Sequence, residues 1–194
     1  MEYVTKRKVV WDLCSGLGGW SEAFAQSDWF VVRIESNPEL EYVPFTRIKD
    51  VTTWMDWIDD LPHPDLVICG PPCTEFSDAN PRVDRNSLDP DMTIVQACLD
   101  IIDYIKPTWW LLENVKGAVR FFVPKIGHHR QAIGNRGSPQ WYLWGNFPYI
   151  SLKPNFHHAK IDVRNPQLRS LVPFELSFEL KRAIEQQVRI TRWC

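Results

Sequence analysis

The chain has 194 residues, 44% of them hydrophobic and 24% charged, with a net charge of −2. That length fits one α/β domain with a core of its own and leaves little room for a second. No apolar run approaches the roughly 20 residues of a membrane-spanning helix, and five cysteines without a CxxC pair argue against a disulfide framework or a zinc site.

The stretch from Met1 to Lys8 is polar and basic and leads straight into strand-like sequence, so no signal peptide is expected. A reduced, cytoplasmic setting and no membrane contact fit the cysteine usage and hydropathy. Lys8 to Leu13 is a short apolar run ending in the turn Cys14 to Gly19. Trp20 to Gln26 is expected to be helical, Trp29 to Ile34 a second strand, Pro44 to Ile48 a third, and Thr53 to Asp59 a helix. Asp65 to Cys69 reads as a buried strand leading into Gly70-Pro71-Pro72, followed by a polar loop to Leu88. From Asp91 to Ile105 the spacing of Ile94, Cys98, Ile101, Ile102 and Ile105 predicts a helix that Pro107 closes. Trp109 to Leu112 is another buried strand, and Phe121 to Pro173, rich in Pro, Gly, Asn and Trp, reads as loop-heavy.

Strands alternating with helices predict an α/β fold, a mostly parallel sheet with helices on both faces. Ligands bind outside the carboxyl ends of such strands. Cys14 to Gly19, Glu35, Asp50, Gly70 to Cys73 and Glu113 all fall there. Charge is unevenly spread. Glu35 to Asp103 holds fifteen acidic and four basic residues, Lys116 to Arg192 thirteen basic and four acidic. A basic C-terminal half suits phosphate contacts, although solvated helix faces produce the same asymmetry.

Glycines after a strand let backbone approach a ligand closely, and Asp12-Leu13-Cys14-Ser15-Gly16-Leu17-Gly18-Gly19 has that form; a plain tight turn has it too. Glu35, at the next strand end, can accept both ribose hydroxyls of a nucleoside cofactor, or be a surface glutamate. Asp50-Val51 can read an adenine edge, and Asp50 can equally cap a helix. In Gly70-Pro71-Pro72-Cys73-Thr74-Glu75-Phe76-Ser77 two prolines stiffen the backbone before an accessible cysteine, which suits a nucleophile. Cys69, inside the strand, suits packing. Glu113, ahead of Asn114-Val115 at an apolar strand end, is placed for a raised pKa and proton transfer, or for capping the next element.

In this order and spacing, DLxxGxGG, ExN at Glu35 to Asn37, DV at Asp50, GPPCxxFS and ENVKG resemble the DNA cytosine-5 methyltransferase family over Val9 to Val115. The resemblance implies a Rossmann-like S-adenosylmethionine-dependent methyltransferase fold and no metal. It implies Cys73 as the nucleophile that adds to C6 of cytosine and Glu113 as the acid at N3. Cofactor-binding residues would be Cys14, Gly16, Leu17, Gly18, Gly19, Glu35, Ser36, Asp50, Val51, Pro72 and Ile94. Substrate would meet Ser77, Asn114, Val115, Arg130 and Arg136. The base would be flipped out of duplex DNA, or taken from a single strand.

The chain departs from the family's pattern at several points. Cys14 stands where a phenylalanine packs on the adenine, a place that Trp20 or Ile94 could fill. Tyr142 and Trp144 replace an arginine pair, with Arg130 and Arg136 as substitutes; Trp144 suits the core better. Residues 146–168 are a vestige of the target-recognition domain, so a protein partner supplying recognition is a further expectation. Residues 169–194 are expected to pack back on the cofactor half of a single catalytic domain spanning 1–194. Two other readings stand beside DNA methylation: C5 modification of RNA or a free pyrimidine nucleotide, and a non-catalytic binding subunit.

Overall fold

The structure, a computed structural model, describes residues 6–77, 90–135, 138–152 and 171–191. Seven strands form one sheet: β1 (Val9–Leu13), β2 (Phe30–Glu35), β3 (Thr46–Ile48), β4 (Leu66–Cys69), β5 (Trp109–Asn114), β6 (Gln131–Asn135) and β7 (Ser138–Asn146), in the order β3-β2-β1-β4-β5-β7-β6. The five from β3 to β5 are parallel, and β7 runs antiparallel to both β5 and β6. Among the described residues four helices flank it: α1 (Glu22–Ala25), α2 (Thr93–Ile105), α3 (Val119–Ile126) and α4 (Phe174–Thr191).

Both faces of the sheet are covered, which is why every residue of β1 and β4 is buried and all of them but Asp12 are apolar. Val9, Trp11 and Leu13 of β1 join the core under α2 and α3. Val10 joins the core under α1 and α4, with Leu66, Leu111 and Leu143. The expected α/β architecture, with helices on both faces, is the one observed.

Local differences have identifiable causes. The helix expected over Thr53 to Asp59 is two 3-10 segments, Val51–Asp56 and Ile58–Asp60. The Asp50 carboxylate accepts from Thr52 N at 2.8 Å and the Trp57 indole donates to the Asp50 carbonyl at 3.0 Å. These bonds, with three β-branched residues in a row, favour tight turns over an α-helix. The expected Trp20 to Gln26 helix shrinks to α1 after a 3-10 turn at Gly19–Ser21. In α2 the buried stripe is Val95, Ala97, Cys98, Ile101 and Ile102; Ile94 lies outside it, 36% exposed. The loop-heavy stretch contains the β6–β7 hairpin, whose Trp141 and Trp144 enter opposite cores.

On α4, Ser177 Oγ donates to the Trp20 carbonyl at 2.7 Å and accepts from Ala23 N at 3.0 Å, and Glu185 accepts from the Trp29 indole at 3.0 Å. A Cβ on Gly19 would come within 2.7 Å of the Val172 carbonyl oxygen, so the segment before α4 lies directly on the glycine turn. No helix among the described residues is long and apolar enough to cross a membrane.

Candidate active site

The turn after β1 is held from below by a buried arginine. Cys14, Gly16 and Gly18 take positive φ values of 56°, 52° and 76°, which glycine tolerates and cysteine adopts at a cost. Arg33 of β2 is 1% exposed. Its guanidinium donates to the Gly18 carbonyl at 3.1 Å, Ser21 Oγ at 2.8 Å, the Glu22 carboxylate at 2.8 Å and the Pro44 carbonyl at 3.0 Å. A Cβ on Gly18 would run into that guanidinium. Ser21 Oγ in turn donates to Asp12 at 2.6 Å. Burial raises the Asp12 pKa to about 6, against the Ser21 hydrogen bond and the Arg33 charge.

The ligand side of the turn is more open. Glu35 Oε2 accepts from Gly16 N at 2.8 Å and Oε1 from Asn37 N at 2.9 Å. Each oxygen keeps acceptor capacity. An added Cβ at Gly16 meets nothing within 4 Å, and Ser15 Oγ is buried without a hydrogen-bond partner. Leu17 is half-buried and Ser36 exposed. Asp50 is exposed and already caps the following turn, while Val51 is buried in the core with Trp57 and Ile58. A hydroxyl-bearing nucleoside fits this donor and acceptor set.

The Cys14 thiol is held well above its usual pKa by the Cys98 thiol and by burial, so Cys14 suits packing rather than nucleophilic chemistry. Cys69 is 0% exposed. Cys73, beyond the end of β4, is half-buried, and its carbonyl accepts from Phe76 N at 3.0 Å and Ser77 N at 2.9 Å. That turn is anchored by Phe76, 2% exposed and packed on Phe121 and Phe122. Pro72 is exposed beside it. Asn114 Nδ2 donates to the Pro71 carbonyl at 3.1 Å, and Asn114 Oδ1 accepts from Val115 N at 2.9 Å. The loop carrying Cys73 and the strand carrying Glu113 are therefore tied by one side chain. Glu113 is half-buried. Burial, opposed by the Trp20 indole, pushes its pKa up to about 7.

Other sequence candidates lie elsewhere. Trp20 is buried on the α1 and α4 side with Leu111, so it cannot stand in for an adenine-packing ring. The Arg130 guanidinium sits over the Phe147 ring. The Arg130 backbone N–H donates to the carbonyl of Leu143 at 2.7 Å, the residue paired with Glu113, while Asn146, next to Phe147, pairs with Trp110 three residues back along β5. Tyr142 and Trp144 are core residues, Trp144 donating to the Gly127 carbonyl at 3.1 Å. Arg136 and residues 153–170 lie outside the described residues. A groove of about 1090 Å³ between Trp54, Met55, α2 and α3 is lined by none of Cys73, Glu113 and Glu35. Sequence reasoning missed Arg33 and Ser21; the signal was a lone arginine inside the apolar run Val31-Val32-Arg33-Ile34.

A model of the C-5 cytosine-specific DNA methylase family matches residues 9–122. The chain is 41% identical over 56 residues to the type II methyltransferase M.SacI of Streptomyces achromogenes, a match covering 28% of this chain and 14% of that protein. Among solved structures, the Entamoeba histolytica methyltransferase EhMeth aligns with a TM-score of 0.52 at 14% identity, over 80% of this chain and 58% of its own. A DNA modification methyltransferase encoded within an E. coli prophage aligns with a TM-score of 0.48 at 21% identity, over 72% and 46%. The likeness to EhMeth shows a shared Rossmann-like methyltransferase fold, and the chain spans little more than half of that structure's length or less of the others. With its motifs at the strand ends and more than half its length matched, the chain belongs to the C-5 cytosine-specific DNA methylase family.

Proposed function

We propose that this chain transfers a methyl group from S-adenosylmethionine to C5 of cytosine in DNA, with Cys73 as nucleophile and Glu113 as its acid. The observation that carries the reading is the Asn114 tie, which fixes the Cys73 loop against the Glu113 strand. S-adenosylmethionine, when bound, supplies an electrophilic methyl group. Glu35 would hold its ribose hydroxyls, the turn from Cys14 to Gly19 would lie along it, and Asp50 would take the adenine edge.

The protein's own residues do the rest. The Cys73 thiolate forms a bond to C6, and the C5–C6 π pair moves toward C5 and the ring while N3 accepts the Glu113 proton. That leaves C5 nucleophilic. After C5 is methylated, loss of its proton re-forms the double bond and expels the Cys73 sulfur, and the N3 proton returns to Glu113. A carboxyl with a pKa of about 7 keeps a large protonated fraction at neutral pH, as a general acid needs.

On this reading residues 1–194 act as one catalytic unit, and 146–168 stand where relatives insert target recognition. Binding would then rest mainly on phosphates, with exposed Lys116, Arg120 and Lys125 as contacts. Affinity should fall steeply with salt, by a log–log slope of about −0.9 per neutralised phosphate on a duplex. The test is incubation with labelled cofactor and, separately, duplex DNA, single-stranded DNA, RNA and cytidine nucleotides, followed by digestion to nucleosides. Label in 5-methyldeoxycytidine is expected. Label confined to RNA or nucleotide would move the substrate, and no label in any arm would support a non-catalytic subunit.

A further inference from the structure

Trp20 differs from four other buried tryptophans in what its indole does. Trp11, Trp29, Trp57 and Trp144 each donate from Nε1 to an oxygen at 3.0–3.1 Å. Trp20 is equally buried, 4% exposed, and its Nε1 has no completed hydrogen bond. Buried donors are rarely left so. The turn that carries it is not loose, because Ser177, fully buried on α4, clamps the Trp20 carbonyl and Ala23 N.

The strand pattern places an acceptor beside it. Leu111 of β5 and Leu143 of β7 belong to the same cluster as Trp20. Glu113 alternates with Leu111 along β5 and pairs with Leu143, so its side chain leaves the sheet on the Trp20 face. Its carboxyl feels the indole, but the bond between them is not closed. The titratable groups of the surrounding elements include Asp12 on β1, Glu22 on α1, Cys69 on β4, Cys73 beyond it, Tyr142 on β7, and Glu175, Glu179, Lys181 and Glu185 on α4. None of them is among the causes that set the Glu113 proton affinity, which are burial and Trp20.

We propose that Trp20 is a positioning residue for Glu113, its indole N–H closing a hydrogen bond to the carboxylate at the moment Glu113 has given its proton to the pyrimidine. This rests on the assignment of Glu113 to proton transfer. The proton moves from the Glu113 carboxyl to N3; the indole proton stays on nitrogen and only orients and stabilises the oxygen left behind. Because Ser177 holds the Trp20 turn, α4 would act on the acid through this indole rather than by touching substrate.

The test replaces Trp20 with β-(3-benzothienyl)alanine, which keeps the ring shape and removes the N–H, alongside Trp20→Phe. Glu113 titration is followed by carbon NMR of labelled glutamate, assigned against Glu113→Gln, and kcat is measured across pH. Removing a donor to the carboxylate should move the Glu113 titration to higher pH in both variants. The alkaline limb of kcat should follow it, kcat below that limb should fall about tenfold, and KM for DNA should hold. A Glu113 titration unmoved in the benzothienyl variant overturns the proposal. A titration that moves while the kcat profile stays put keeps the contact and overturns instead the role of Glu113 in proton transfer.

Discussion

Asp12 near the end of β1 and Glu113 near the end of β5 leave the same face of one sheet, two strands apart. Burial raises the pKa of both, to about 6 and about 7. Their surroundings differ. Asp12 accepts from Ser21, which accepts from Arg33, whose other donors reach Gly18, Glu22 and Pro44. Glu113 has an indole that has not closed its bond. A buried carboxyl whose neighbours complete its bonds stabilises a turn; one left short retains an oxygen for a substrate. Both sit at strand ends, so position alone does not separate architecture from chemistry.

The contrast can be broken most directly by exchanging each acid for its amide. Glu113→Gln should lower methyl transfer by about a hundredfold or more without loss of thermal stability, since it removes a carboxyl that burial disfavours. Asp12→Asn should leave the rate within a few-fold. Equal rates for Glu113→Gln and wild type, measured with labelled cofactor, would end the distinction. Next in size is the support under the glycine turn. Arg33→Met should cost about 4 kcal/mol of stability in urea unfolding, because it leaves the Gly18 carbonyl and Ser21 Oγ without their buried donor and Asp12 without the opposite charge nearby. A loss below about 1 kcal/mol would make the network peripheral.

Acid dependence sharpens the comparison further. Both carboxyls have folded-state pKa values above their unfolded ones, so each contributes stability that is fully present below about pH 4 and is lost as pH rises through about 6 for Asp12 and about 7 for Glu113. The Glu113 part is about 3 kcal/mol at most. Unfolding measured from pH 4 to 8 should show a shallower decline for Glu113→Gln between about pH 5 and 7; an unchanged slope would place the Glu113 pKa near its ordinary value. The smallest effect concerns the open side of the turn. Glu35→Ala should weaken cofactor binding by about 2 kcal/mol in calorimetry, with part of the loss from freeing Gly16 N. Unchanged affinity would remove Glu35 from the cofactor site.

The sheet was legible because buried parallel strands are short apolar runs, and the motif residues could be placed at their ends from that alone. Cys73 could be told from Cys69 by the same logic, since one follows the run and the other closes it. What escaped depends on contacts distant in sequence or on local competition. The partners of Arg33 come from a turn, a helix and a loop that only topology brings together. Asp50 and Trp57 convert an expected helix into 3-10 turns through two hydrogen bonds. Pro139 and Gly145 hide the strand pattern of β7, so the hairpin sat within a stretch that read as loop-heavy. Ile94 kept helical spacing and yet faces outward, because the buried stripe is one residue out of phase in the first turn of α2.

The central claim is that Cys73 bonds to the base. Duplex DNA carrying 5-fluorocytosine, incubated with the protein and S-adenosylmethionine, tests it in one step, since fluorine at C5 cannot leave as a proton. The account predicts a denaturant-resistant protein–DNA adduct whose peptide map places the link at Cys73, and its loss in Cys73→Ser with cofactor binding retained. Methylation of ordinary cytosine with no trapped adduct, or an adduct mapped to Cys14, would contradict it.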